Sequence, residues 1–180
     1  MADGRQAPGS RQLHRGGQER EKGKMKLLFK QRLFSWFDSY DIYDEDGNVV
    51  YEVKGELSWG HRLRIFDACG RELGTVVERV LTFLPKFDLY LGDTKAGSIN
   101  KELTLLKPRY EIDCNGWQVD GDWLEWDYTI AAADGTPVAI VTKEVWKLTD
   151  TYVIEVNEPE NALCALMVVL AIDAEKCSRN

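Results

Sequence analysis

The chain has 180 residues, 44% apolar and 29% charged, with a formal net charge of −7, which is the make-up of one globular domain with a sizeable core. Residues 1–24 hold six basic and three acidic residues, net +3, which leaves −10 for residues 25–180. A body that acidic repels nucleic-acid phosphates and anionic lipid surfaces over most of its face, and four scattered cysteines with two histidines do not have the spacing of a disulfide framework or a zinc site.

The head, MADGRQAPGSRQLHRGGQEREKGK, is rich in Gly, Gln and Arg and nearly free of large apolar residues. Burial there cannot offset the entropy of ordering, so residues 1–24 are expected to be a disordered leader or a mis-assigned start ahead of Met25. The head also lacks the apolar run of a signal peptide, and the expected location is the cytoplasm.

A first strand is predicted over Leu27–Arg32. Tyr40–Asp44 and Val49–Lys54 flank Glu45-Asp46-Gly47-Asn48 and read as a hairpin. Four more hairpins follow: Arg62–Asp67 with Glu72–Arg79, Asp88–Leu91 with Lys95–Asn100, Tyr110–Cys114 with Trp117–Asp120, and Leu124–Ala132 with Pro137–Lys143. In the last of these, Trp126, Tyr128 and Ile130 alternate with Glu125, Asp127 and Thr129, an apolar and a polar face. With Thr151–Val156 the total is about twelve strands, the pattern of an antiparallel sandwich or barrel. Asp44, Asp46 and Asn48 imitate the start of a calcium loop, but the twelfth position, which needs Glu, is Gly55. The stretch reads as a turn.

Near the end stand eleven consecutive apolar residues, Ala162 to Ile172. As a helix they reach only ~17 Å, too short for a hydrocarbon core of ~30 Å. They show no polar face, so they do not suit the membrane surface either. A helix apolar all round belongs inside a core. Asn157 is placed to cap it, Pro159 suits its first turn, and Glu160 follows the cap by three. The predicted helix spans about 158–174, with a short tail over 174–180. A closed sheet of about twelve strands covers such a helix on every side and leaves no exposed strand edge; packing between two open sheets is the alternative.

Short motifs stand in order along the chain: Lys30-Gln31 with Phe34-Ser35-Trp36, Asp44 with Asp46-Gly47-Asn48, Val53-Lys54-Gly55-Glu56, Ser58-Trp59-Gly60 and Phe83-Leu84-Pro85-Lys86. Lys107-Pro108-Arg109-Tyr110, Gly116-Trp117, Gly121-Asp122, Asp150-Thr151-Tyr152 and Val168–Asp173 complete the series. Together they resemble the LURP-one-related family, including its YxjI-like bacterial members, within the Tubby C-terminal-like superfamily. The resemblance covers Met25–Asp173 as one domain. It implies a mainly β fold, a twelve-stranded antiparallel closed β-barrel around a hydrophobic C-terminal helix. It implies no catalytic, cofactor or metal residue. Tubby proteins bind phosphoinositides through basic surface side chains, and the related scramblases are membrane proteins.

Enzyme signatures are sparse. His61 is the one histidine outside the head, no Gly-x-Ser-x-Gly elbow accompanies it, and phosphate loops are absent. Asp120 and Asp122 flank Gly121 and read as turn chemistry. The six tryptophans are expected mostly in barrel packing. The main expectation is a non-enzymatic interaction or scaffold module with an unknown protein partner, no cofactor and no metal. The second is a module bound peripherally to anionic lipid, with Lys86, Lys107 and Arg109, at bends between strands, as its contacts. An unrecognised enzyme is the third.

Overall fold

A computed structural model describes residues 23–30, 39–102, 109–113, 115–122, 125–144 and 151–177, without the side chains of Lys30, Leu57, Ser58, Glu102, Arg109, Glu111 and Cys177. The predicted leader falls outside the described residues except for Gly23 and Lys24. Gln31, Arg32, Cys114 and Leu124, assigned to strand ends above, lie outside them too.

Among the described residues there are twelve strands and one α-helix. The strands are β1 (Met25–Lys30), β2 (Tyr40–Tyr43), β3 (Val49–Ser58), β4 (Gly60–Asp67), β5 (Glu72–Glu78) and β6 (Lys86–Leu91). They continue as β7 (Thr94–Glu102), β8 (Arg109–Ile112), β9 (Gln118–Asp122), β10 (Asp127–Ala131), β11 (Pro137–Glu144) and β12 (Thr151–Val156). The helix, α1, is Ala162–Cys177.

Turn chemistry sets the hairpins. The Asp44 carboxylate accepts from the backbone N–H groups of Asp46 (3.0 Å) and Asn48 (2.8 Å) and from the Asn48 amide (2.9 Å). These bonds, the Asn48 side chain first, hold its carboxyl below the usual range. The oxygens of this would-be calcium loop therefore close the turn. Asp67 does the same for β4–β5, accepting from the N–H groups of Cys69 and Arg71. Gly47 (φ 84°) and Gly70 (φ 79°) supply the left-handed positions.

Every chain-adjacent pair of strands from β2 to β12 is antiparallel. β1 runs beside β12 from Met25–Val156 to Lys30–Thr151, and its ladder register with β2 is the single pair Leu28–Tyr43. The architecture is thus a mainly β antiparallel sheet wrapped around one C-terminal helix, and β1/β2 is its thinnest junction.

Inward side chains alternate along the strands as the pleat requires: Leu27 and Phe29, Leu63 and Ile65, Phe87 and Leu89, Tyr128 and Ile130, Tyr152 and Ile154 are all buried. Trp126 is buried as expected, but it precedes β10 in a left-handed turn (φ 59°). Residues 165–175 of α1 are buried without interruption, the apolar run to Ile172 as its hydrophobicity all round demands, and Asp173 and Glu175 with it. The helix packs closest on β5 and β12. At Gly74 of β5 a Cβ would lie 3.3 Å from the Met167 sulfur and 2.8 Å from the Tyr90 carbonyl oxygen, so glycine permits the approach.

The helix departs from expectation at both ends. Pro159–Asn161 form a 3-10 turn ahead of it, and Glu158 in the cap position makes no side-chain cap bond. Asn157 does not cap. Its N–H donates to Val138 O (3.0 Å) and its Nδ2 to Pro137 O (2.6 Å), because the chain is still laddered to β11 there. At the far end α1 runs on through Cys177, into the predicted tail. Lys176 in the last turn suits the negative pole of the helix dipole, and Glu175, 1% exposed, finds Lys101.

Candidate functional site

In an up-and-down sheet, the ends of the odd-numbered strands and the starts of the even-numbered ones lie together. The pairs Ser58–Gly60, Glu78–Phe87, Glu102–Arg109 and Asp122–Asp127 mark that end. The last turn of α1 arrives there too, since Glu175 meets Lys101 near the close of β7 and the Lys176 amine lies 4.5 Å over the Trp126 ring.

Two turns project from this end. The β3–β4 turn carries Trp59, 91% exposed, and the longer β5–β6 connection carries Leu81 (101%) and Phe83 (96%), with Val80 partly exposed. The turns touch each other: a Cβ on Gly60 would stand 2.9 Å from both the Val80 Cγ1 and the Glu78 carbonyl oxygen. The His61 N–H donates to Glu78 Oε2 (3.1 Å), and the His61 Nε2 stands 3.5 Å from the same oxygen. His61 thus fastens one turn to the other.

The longer connection is internally fixed. Arg79 N–H donates to Lys86 O (2.8 Å), Thr82 Oγ1 donates to Arg79 O (3.0 Å), and Leu81 sits at φ 69°, a conformation costly for a leucine. Its base is anchored by Asp88, which lies on the outer face of β6 and is nonetheless buried. Arg79 Nε (2.5 Å), Ser98 Oγ (2.9 Å) and Lys95 Nζ (2.9 Å) surround its carboxylate. Burial pushes that carboxyl up, and the hydrogen bonds from Arg79, Lys95 and Ser98 outweigh it, holding the group below the usual range.

Lys86, expected at a bend, is the first residue of β6 and is half-buried. Arg109 opens β8, and its side chain lies outside the described residues, as does the whole of Lys107. Lys86 pairs with Asn100 and Arg109 with Glu102 on the strand between them, so their backbones flank β7 at this same end, roughly 10–12 Å apart. Sequence reasoning missed Trp59, Leu81 and Phe83 as a surface. Trp117 (5%) and Trp126 (4%) are packed as expected and Trp59 is not; Trp36, Trp123 and Trp146 lie outside the described residues. The signal was present in large apolar residues sitting inside turn text, beside Gly60 and before Pro85.

Two other places were candidates. A surface concavity of about 560 Å³ is lined by Glu56, Arg62, Arg64, Glu72 and Tyr90, among others. Arg64 there donates Nε to Glu72 (3.1 Å), NH1 to Glu56 (2.9 Å) and NH2 to Glu72, and these partners, Glu72 foremost, raise its pKa. Its donors are spent on carboxylates and leave little for a ligand. The second place is the inner end of α1. Lys101 and Glu175 pair there, and Asp173, 4% exposed, is pushed up to about 7 by burial, with Lys176 opposing. Burial, reinforced by Asp173, also raises Tyr128 well above the ordinary phenol. Asp173 and Glu175 belong to α1 itself, and with Lys101 and Tyr128 they are buried within the core. Among the described residues no helix is long and apolar enough to cross a membrane.

Comparison with known proteins extends the picture. The uncharacterized protein YxjI of Bacillus subtilis (strain 168) is 26% identical over 151 residues, which is 83% of this chain and 92% of that protein. An X-ray structure of a protein from Arabidopsis thaliana superposes with a TM-score of 0.59 at 17% identity, over 86% of this chain and 93% of that one, a likeness of fold. The family model described as LURP-one-related matches residues 25–173, from the first strand into the last turn of α1, and the chain belongs to that family.

Proposed function

We propose that this protein is a non-enzymatic docking module whose binding surface is the end of the sheet bearing Trp59, Leu81 and Phe83. The observation that carries the reading is the near-complete exposure of three large apolar side chains on two mutually fastened turns. Exposing them is unfavourable by roughly 1.5–3 kcal/mol per side chain relative to burial, and clustered exposure of this kind marks interaction surfaces. The position of α1 supports the same reading, because it fills with Leu166, Met167 and Val169 the space a deep internal active site would need. We read the sheet as a closed barrel, with β1 bridging β12 and β2, which makes the tip a rim on a rigid cylinder.

Native mass spectrometry of protein isolated from its own cells tests the reading. Wild-type protein should carry a co-purifying species that a W59S/L81N/F83S variant lacks while keeping its melting temperature. Retention of the same species by the variant would place binding elsewhere and overturn the assignment.

A further inference from the structure

We propose that the partner of this rim is a second copy of the chain, joined end to end about a two-fold axis; this rests on the docking reading and names its partner. Trp59 of each copy packs against Leu81 and Phe83 of the other. The first ground is layout. A two-fold contact needs a surface that matches itself, so that one patch meets a second and the second meets the first. The two turns supply both patches, Trp59 on one and Leu81 with Phe83 on the other. The contacts of His61 with Glu78 and of Gly60 with Val80 fix their spacing. The bonds between Arg79, Thr82 and Lys86 hold the longer turn in shape before contact, so little ordering remains to oppose association.

The second ground is charge. Near a two-fold axis every charge meets its own kind, so a surface that pairs with itself must be neutral at its centre. Trp59 and Val80–Phe83 carry no charge, and residues 57–64 and 79–87 hold no acid in a chain whose net charge is −7. Glu78 faces His61, and Asp88 is held by Arg79 and Lys95. Other parts of the chain are unsuited to self-contact: residues 115–142 hold Asp120, Asp122, Glu125, Asp127 and Asp134 and no basic residue. The third ground is area. Trp59, Leu81 and Phe83 are 91%, 101% and 96% exposed. Side chains of this size offer roughly 500 Å² per copy, about 1,000 Å² for the pair before flanking turn atoms are counted. That reaches the lower bound of a specific interface, and it sets a reversible dimer, roughly micromolar or weaker.

Sedimentation velocity of the purified full chain over about 1 to 300 μM tests this. The wild type should pass from monomer to dimer across that range and go no further, because a two-fold contact is closed. Two bodies of like net charge repel, so raising salt from about 50 to 500 mM should strengthen the association. W59S/L81N/F83S should associate at least roughly tenfold more weakly while keeping its melting temperature. The contact itself is read with a photoreactive residue at Phe83 in a mixture of isotope-labelled and unlabelled chains. Adducts should join a labelled chain to the Trp59 peptide of an unlabelled one. A wild type that stays monomeric, assembly past the dimer, weakening by salt, or a triple variant that dimerises equally would each overturn the proposal. So would mixed-label adducts that avoid the Trp59 turn. If the wild type stays monomeric while protein from its own cells carries another species that the triple variant lacks, the second copy is ruled out and the docking surface stands; if no such species is carried, both fall.

Discussion

Lys101 of β7 and Glu175 of α1 form an ion pair, Nζ to Oε1 at 2.8 Å, with side chains 4% and 1% exposed. It is a polar clasp at the end of an otherwise apolar helix, and it fixes how far α1 slides into the sheet. Lys101→Met alone leaves a carboxylate buried without its cation and should cost about 3–5 kcal/mol. The double variant Lys101→Met with Glu175→Leu should regain most of that loss. Urea melts of the two singles and the double close the cycle, and additive losses would show that the pair is not coupled.

Gly74 of β5 lets Met167 of α1 come close, since a Cβ there would stand 3.3 Å from the Met167 sulfur. Gly74→Ala sets a Cβ against the Tyr90 carbonyl oxygen, backbone that cannot swing aside, and should destabilise by about 1–3 kcal/mol. A melt unchanged from wild type would mean that the Tyr90 carbonyl oxygen stands further than 2.8 Å from the Cβ position of Gly74.

Asp173 predicts a pH dependence. Its folded-state pKa, about 7, lies above the unfolded value of 3.8, so between those values the folded state binds more protons. Stability should therefore fall as pH rises from about 4 to 7 and level off beyond. Its contribution is of the order of 4 kcal/mol at most. Asp173→Asn should match the wild type near pH 4 and exceed it at pH 8. A stability difference that does not vary with pH would contradict the burial of an acidic Asp173.

The single pair Leu28–Tyr43 joins β1 to β2. If the barrel is closed, Leu28→Cys with Tyr43→Cys should form a disulfide on mild oxidation, since facing residues of paired strands stand within its reach. No bond under conditions that oxidise a control pair such as Thr142→Cys with Val153→Cys, facing residues on β11 and β12, would show the seam open.

Much of this fold was legible in the sequence because its signals are local. The Asp-Gly and Asp-x-x-Gly turns placed the hairpins, and the length of Ala162–Ile172 together with its missing polar face placed the helix in the core. The helix cap was misread because Asn157 has a better use, in the ladder to β11. The rim was misread for a different reason. Tryptophan in a strand-rich text is usually packing, and whether Trp59 faces a core or water depends on how two turns distant in sequence fold against each other. Lys86, expected at a bend beside Pro85, instead opens β6. That Phe83, three residues before it, would be exposed was not written in any periodicity, since a turn has none.

The central claim is that binding occurs at the Trp59–Leu81–Phe83 end, and site-specific photo-crosslinking in native cells tests it most directly. A photoreactive residue at Phe83 should yield adducts, lipid or protein, identified by mass, while the same residue at Ala133, in the exposed β10–β11 turn at the opposite end, should yield few. Equal adducts at both positions, or none at Phe83, would contradict the account.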